Sequence, residues 1–206
     1  FRWCVSEGYL TVNPIAAMRP VAREEARDRV LSDDEIRWFW IATGQMEYPF
    51  GPLCRLLLIT AQRRDEVGKA TWAELDLAKK VWTIPKERAK NRRAHEVALS
   101  DLAIEIIEDL PKIGTRPTLL FTTKEVVETS DGERKKLIAR PVSGFSRAKL
   151  RVDELMRAAR RQELGLTAPE TPEELEEDAK AIAPWLLHDL RRTAATGMAG
   201  LNIAPH

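Results

Sequence analysis

The chain contains little cysteine, histidine or tyrosine, and it has no long apolar run. Its 206 residues include two cysteines, three histidines and two tyrosines. Cys4 and Cys54 cannot build a disulfide framework, and so few cysteines fit the reducing cytoplasm. The cysteines and histidines are spread too widely for metal-ligand spacing, so the sequence predicts no metal site. No apolar run approaches the roughly 20 residues of a membrane-spanning helix, so we expect no membrane partner.

Excess charge of one sign is also lacking, because 33 Lys and Arg residues face 32 Asp and Glu residues. The net charge of +1 by itself predicts no polyanionic partner. The distribution is more informative. Residues 86–93 and 147–161 are basic, whereas residues 170–178 are acidic and fit an ordinary solvated helix face. Charges segregated in this way predict a basic face despite the neutral total.

The length and composition fit one globular domain with a short extra piece at one end. Hydrophobic residues make up 44% and charged residues 32%, which excludes a disordered chain. Residues 1–28 contain apolar positions before Asn13-Pro14 and then a charged linker. We expect them to be the end of a preceding domain, and residues 29–206 to be the main domain. Because the first residue is not Met, we expect a piece of a longer protein.

The predicted fold class is mainly α, of the α+β type, with a small three-stranded antiparallel sheet. Ser32 and Glu35 form a capping box, so a helix begins there and continues to about Thr43. Further helices are predicted at 52–60, 101–110 and 143–164, with a short helix after Arg64 that ends near Ala70 and an acidic helix starting at 171. Period-two patterns predict strands at 73–77, 80–85 and 96–99. Residues 119–121 are apolar, and we predict a polar loop after them.

Three segments carry candidate chemistry. The first, 62–67, places Arg63 and Arg64 directly after an apolar helix, where they suit the rim of a site or a surface pair with an adjacent acid. The second, 86–100, is a hairpin with a cationic tip. In the third, 184–193, His188 and Arg191 lie three residues apart and share a helix face. An imidazole beside a guanidinium suits a phosphate, although an ordinary amphipathic helix has the same spacing.

In this order and spacing, the three segments resemble the catalytic domain of the tyrosine recombinases, or phage-type integrases, especially those of prophages and genomic islands. The resemblance covers residues 30–206, and residues 1–28 resemble the end of the family's core-binding domain. It implies site-specific recombination of double-stranded DNA through a 3′-phosphotyrosine intermediate, without cofactor, metal or ATP. It also implies a homotetramer on DNA for the full-length protein, in a bacterial cytoplasm near the nucleoid. The fragment alone is expected to be monomeric.

The resemblance assigns roles residue by residue. Arg63 matches the first catalytic arginine, with Arg64 as the alternative register. Lys90 matches the hairpin lysine, with Lys86 as the second choice. His188 and Arg191 match the histidine and arginine of the last motif. The residues expected to contact DNA are Arg64, Lys86, Arg88, Asn91, Arg92, Arg93 and Arg192.

The main departure from the family pattern is the absence of its nucleophile. The family's nucleophilic tyrosine follows the last motif, whereas Tyr9 and Tyr48 both precede Arg63. We therefore expect the chain as written to bind DNA without cleaving it. Ala61 stands where the family often has glycine, and Asp65 where a small residue is common; we expect both to be tolerated variation. His206 resembles the start of the next helix rather than a further catalytic histidine.

Three other functions remain open at this level. The first is a non-catalytic DNA-binding module, which is favoured if no tyrosine follows residue 206 in the intact gene. The second is a type IB topoisomerase-like enzyme, which is favoured if the protein relaxes DNA without pairing two sites. The third is a plain helical interaction domain, which is favoured if DNA binding does not weaken between low and moderate salt.

Overall fold

The computed structural model describes residues 1–18, 28–113, 118–128 and 135–203. After a short helix α1 (Arg2–Ser6), helices α2 (Asp33–Gly44), α3 (Phe50–Thr60) and α4 (Arg64–Gly68) lead into a three-stranded sheet. Helix α5 (Asp101–Glu108) follows, then a two-stranded hairpin. Helices α6 (Phe145–Leu164), α7 (Pro172–Lys180) and α8 (Leu187–Gly200) complete the described chain. No helix among these residues is both long and apolar enough to cross a membrane.

The apolar helix α3 lies at the centre of the core, because its residues are hydrophobic on nearly every side. Leu53 and Leu57 are fully buried, and α3 packs against α2, α5 and α8. Helix α2 packs along α6, where Val152 and Met156 are also fully buried. This arrangement brings the start of α8 beside the end of α3.

The capping patterns begin helices where the sequence predicted. The hydroxyl of Ser32 accepts the backbone N–H of Glu35, and the Glu35 carboxylate accepts the backbone N–H of Ser32. Thr171 and Glu174 make the same reciprocal pair at the start of α7, with Pro172 at the first position. Each pair satisfies backbone donors that a helix start leaves open.

The predicted three-stranded antiparallel sheet is confirmed, in the order β1 (Leu75–Asp76), β2 (Val81–Ile84) and β3 (His95–Ala98). Trp82 pairs with Leu75 on one side and Val97 on the other. The first strand is shorter than predicted, because residues 72–74 form a 3₁₀ turn. The carboxylate of Glu74 accepts the indole N–H of Trp82 at 2.9 Å, which ties this turn to the sheet.

The polar loop predicted after residue 121 is wrong. Strands β4 (Thr122–Glu128) and β5 (Lys135–Pro141) form an antiparallel hairpin there, with Thr122 opposite Pro141. Both segments contain charged residues, so the apolar pairs at 126–127 and 137–138 were not recognised as strand signals. The Asp131-Gly132 dipeptide between them was the available turn signal.

The N-terminal segment exposes much of its apolar surface. Trp3 is 65% and Tyr9 72% exposed, although their rings lie against each other. The predicted linker falls partly on residues 19–27, and His206 lies in the last three residues; both lie outside the described residues. The division at residue 28 therefore stays a prediction.

Candidate active-site cleft

One cleft of about 930 Å³ opens beside the start of α8. Its lining combines residues from the α3–α4 turn, the loop after β2, and the first turns of α6 and α8. Arg63, Lys90 and His188 all line it. The three sequence segments singled out for their chemistry therefore meet around one space.

The turn that carries Arg63 follows directly from the end of α3. Ala61 ends the helix in the left-handed conformation, with φ 55° and ψ 23°. The side-chain amide of Gln62 donates to the carbonyl of Thr60 at 2.9 Å. Arg63 then adopts an extended conformation as the N-cap of α4. The chain thus changes direction within three residues and places the Arg63 side chain on the cleft wall.

Glu66 holds Arg63 in place and was not among the candidates chosen from sequence. Its carboxylate accepts the Arg63 guanidinium through Nη1 at 3.0 Å and the Arg63 backbone N–H at 3.0 Å. The backbone N–H of Lys90 approaches the same carboxylate at 3.5 Å. Glu66 is only 2% exposed. One buried acid thus anchors both the first arginine and the segment that carries the lysine.

The protonation of Glu66 reflects opposing effects. Burial raises the pKa of its carboxyl, whereas hydrogen bonds from Arg63 and Lys90 and the charge of Arg63 lower it. The bonds prevail, so the pKa lies below its ordinary value. The carboxylate is therefore charged near neutral pH. Its spacing of three residues from Arg63 was the sequence signal that could have identified it.

Arg191 is half-buried and bonds to the same turn. Its Nη1 donates to the carbonyl of Ala61 at 2.5 Å. Burial lowers the pKa of Arg191, the charge of Arg63 lowers it further, and Glu66 opposes the change. Arg191 is not among the residues lining the cleft, but it lies close enough for the charge of Arg63 to act on it.

The start of α8 fixes His188 at the cleft. Asp189 is 1% exposed, and its carboxylate accepts the backbone N–H of Leu186 at 2.8 Å. Burial lowers the pKa of His188, and the charges of Arg192 and Arg191 lower it further while Asp189 opposes them. His188 is therefore neutral near pH 7 in the unliganded protein and able to accept a proton.

The model of the phage integrase family matches residues 41–203, which include all four candidate catalytic residues. The chain belongs to this family. Prophage integrase IntZ of Escherichia coli K12 is 30% identical over 112 residues, 53% of this chain. The chain spans only 28% of the length of that relative.

Solved integrase structures have the same fold at low sequence identity. The Tn1549 transposon integrase, in complex with transposon right end DNA, has a TM-score of 0.56 and 12% identity, covering 89% of this chain and 57% of that one. A lambda integrase tetramer bound to a Holliday junction has a TM-score of 0.51 and 20% identity, covering 96% and 50%. The tyrosine-recombinase catalytic fold predicted from sequence is therefore confirmed.

The residues expected to contact DNA fall into two groups in this integrase domain. Most are exposed on the loop between β2 and β3, and they lie outside the set that lines the cleft. This exposed group, called here the cationic loop, consists of Lys86, Asn91, Arg92 and Arg93.

The others have protein partners. Arg88 donates to the Glu74 carboxylate at 2.6 Å and the Glu66 carbonyl at 3.1 Å, and its side chain is only 19% exposed. Arg64 pairs with Asp65 at 2.9 Å and lies over the Phe145 ring. Arg192 lies 3.8 Å from Asp189. Their roles in DNA contact stay predictions.

Neither tyrosine lines the cleft. The Tyr48 hydroxyl donates to the carbonyl of Leu120 at 3.1 Å and accepts the backbone N–H of Thr122 at 2.7 Å. Tyr9 lies on the exposed N-terminal segment. Both positions agree with the view from sequence that neither residue matches the family's nucleophile.

Proposed function

We propose that this domain performs the strand cleavage and rejoining steps of site-specific DNA recombination, which integrate or excise a mobile element. The main support is the grouping of Arg63, Lys90 and His188 around one cleft, with Arg191 bonded to the turn before Arg63. The family to which the chain belongs agrees with this proposal.

The two arginines supply the electrostatic part of the mechanism. A phosphodiester under attack gains negative charge on its non-bridging oxygens. Arg63 and Arg191 provide fixed guanidinium donors for that charge, and losing one such donor typically costs about 10²–10³ in rate. The charge of Glu66 limits the repulsion between the two arginines while no phosphate is bound.

Lys90 and His188 supply the proton transfers. The leaving 5′-oxygen needs a proton, and we assign its delivery to Lys90, which is exposed on the loop after β2 and lines the cleft. A neutral His188 is suited to accept the proton of an attacking tyrosine. The products are a 3′-phosphotyrosine bond and a free 5′-hydroxyl, and the reverse attack rejoins the strand. These steps use no cofactor, metal or ATP.

The nucleophile in this proposal is a tyrosine from outside these 206 residues, because Tyr9 and Tyr48 lie away from the cleft. The chain as written then holds DNA phosphates without cutting them. This observation also favours a second candidate function, a DNA-binding module that has no nucleophile at all. Finding a tyrosine encoded after residue 206 would distinguish the two.

The proposed partner is double-stranded DNA at attachment sites. We further propose that residues 1–28 end a core-binding domain, and that the full-length protein acts as a homotetramer in the bacterial cytoplasm on nucleoid DNA. The lambda integrase with this fold is a tetramer on a Holliday junction. The fragment itself is expected to be a monomer.

Arg191→Ala tests the proposal in the full-length protein. We expect covalent protein–DNA adduct on a nicked attachment-site duplex to fall at least about 100-fold, because a transition-state donor is lost. The Kd for the same duplex should weaken no more than about tenfold, because the other cationic contacts persist. Adduct is measured by denaturing electrophoresis and Kd by fluorescence anisotropy.

Arg151→Ala is the matched control, because Arg151 is 61% exposed and pairs with Glu154 outside the cleft. It should leave adduct formation unchanged. Survival of cleavage in Arg191→Ala would show the assignment to be wrong. Relaxation of supercoiled DNA without exchange between sites would indicate the topoisomerase-like activity.

A further inference from the structure

Ala61 holds a backbone conformation that its side chain does not favour. Its φ of 55° lies in the left-handed region, where a Cβ crowds the following carbonyl and glycine is preferred. An alanine methyl cannot form a hydrogen bond that compensates locally. The surrounding structure must therefore impose the conformation.

The contacts around Ala61 show what imposes it. Thr60 is buried, its hydroxyl donates to the Leu56 carbonyl at 2.6 Å, and its own carbonyl accepts from the Gln62 side chain at 2.9 Å. The next carbonyl, that of Ala61, accepts from Arg191 at 2.5 Å. Both carbonyls belong to the end of α3, where open acceptors and the helix dipole favour a cation.

The Arg191 guanidinium depends on this carbonyl because it is half-buried. A guanidinium carries five N–H donors and no acceptor. One donor on Nη1 is taken by Ala61, which restricts the directions that the guanidinium can adopt. The remaining donors are then available for another acceptor.

We propose that Ala61 is a positioning residue, whose left-handed backbone directs its carbonyl to Arg191 and so orients that guanidinium for a DNA phosphate. This inference rests on the proposed function, in which Arg191 contacts the scissile phosphate. The ligand is the backbone phosphate of duplex DNA. Ala61 acts on it only through Arg191.

Thermal stability tests the backbone part of the proposal. Ala61→Gly should raise Tm by about 2–4 °C, because glycine adopts this conformation freely. Ala61→Val should lower Tm, because a β-branched side chain tolerates a positive φ poorly. Asn202→Val is the matched control: φ at Asn202 is 59°, the change is neutral in charge, and Asn202 does not line the cleft. It should lower Tm without changing DNA affinity.

A double-mutant cycle tests the positioning part, with Kd for a duplex measured by anisotropy at about 50 mM salt. Arg191→Ala should weaken Kd about tenfold, the size of one charge-assisted hydrogen bond. Ala61→Val should weaken it about three- to tenfold. In the Arg191→Ala background, Ala61→Val should change Kd less than twofold and still lower Tm.

The outcomes separate the inference from the proposed function. If Arg191→Ala leaves Kd unchanged, the proposed phosphate contact is wrong. If Arg191→Ala weakens Kd but Ala61→Val weakens it equally in both backgrounds, the positioning role is overturned. The positioning role is also overturned if Ala61→Val lowers Tm without weakening Kd. Should Ala61→Val not fold, a Tm of Ala61→Gly at or below that of the parent chain would overturn the inference.

Discussion

The two arginines beside the α3–α4 turn, Arg63 and Arg191, differ from the cations of the cationic loop in how firmly the protein holds them. Arg63 is bonded to a carboxylate that is 2% exposed, and Arg191 is bonded to a backbone carbonyl. Lys86 is 72% exposed, and Arg92 and Arg93 are exposed beside it. Equal charges therefore occupy two very different environments.

This difference distinguishes what a cation contributes through its fixed position from what it contributes through its charge alone. A guanidinium held in place needs no reorganisation when negative charge develops, so it can stabilise a transition state. An exposed cation attracts any phosphate and contributes mainly to affinity that salt weakens. A guanidinium that is held in place in this way needs a buried acidic partner. Glu66 is part of the cleft because a cation without a partner would not be held there.

The largest effect expected is on stability, from Glu66→Gln. Removing the buried charge leaves Arg63 without its ionic partner and weakens two backbone contacts, so we expect a loss of about 3 kcal/mol in the free energy of unfolding. Urea denaturation measures it. Asp65→Asn is the control, because its partner Arg64 is 51% exposed, and it should cost less than about 1 kcal/mol. Similar losses for both variants would contradict the distinction between cleft and surface.

The second effect is on DNA affinity, from Arg92→Ala in the cationic loop. We expect weaker binding for all duplex sequences and a reduction of about 0.9 in the slope of log K against log salt. Stability should not change. A salt titration by fluorescence anisotropy measures the slope.

Arg88→Ala provides the contrast, because Arg88 lies between β2 and β3 but outside the exposed group. Its guanidinium is bonded to Glu74, so the main loss should be about 2 kcal/mol of stability. If Arg92→Ala destabilised the protein as much as Arg88→Ala does, the loop would not be the freely exposed cationic group described above.

Local patterns explain why the sequence predicted the helix starts and the three-stranded sheet. The capping pairs Ser32 with Glu35 and Thr171 with Glu174 each join residues three apart, so their bonds need no tertiary structure. Trp82 and Ile84 alternate with exposed neighbours, which the period-two pattern captured. The three motifs were grouped by family resemblance, and no local rule predicts that they meet.

The features that sequence analysis missed depend on distant contacts. Glu66 has a local partner in Arg63, three residues away, but its contact with the backbone N–H of Lys90 comes from a segment 24 residues away. Arg88 looked like another loop cation, but Glu74 binds it. The conformation of Ala61 was read only as a tolerated replacement of glycine. For Arg88 and Ala61 the deciding partner lies on another element, beyond the reach of periodicity and capping rules.

The smallest effect is a pH dependence that the cleft has and the loop lacks. The pKa of His188 in the folded protein is lowered from 6.5, so below that pH the unfolded state binds protons more readily. Its contribution to stability is therefore fully present above about pH 6.5 and is lost as pH falls. His188→Gln should flatten the dependence of the unfolding free energy between pH 7 and 5, measured by urea denaturation. Arg92→Ala should keep the parent slope, because arginine does not titrate there. Equal slopes for the parent and His188→Gln would show that the surroundings of His188 do not disfavour its charge, and the contrast between cleft and loop would lose its electrostatic basis.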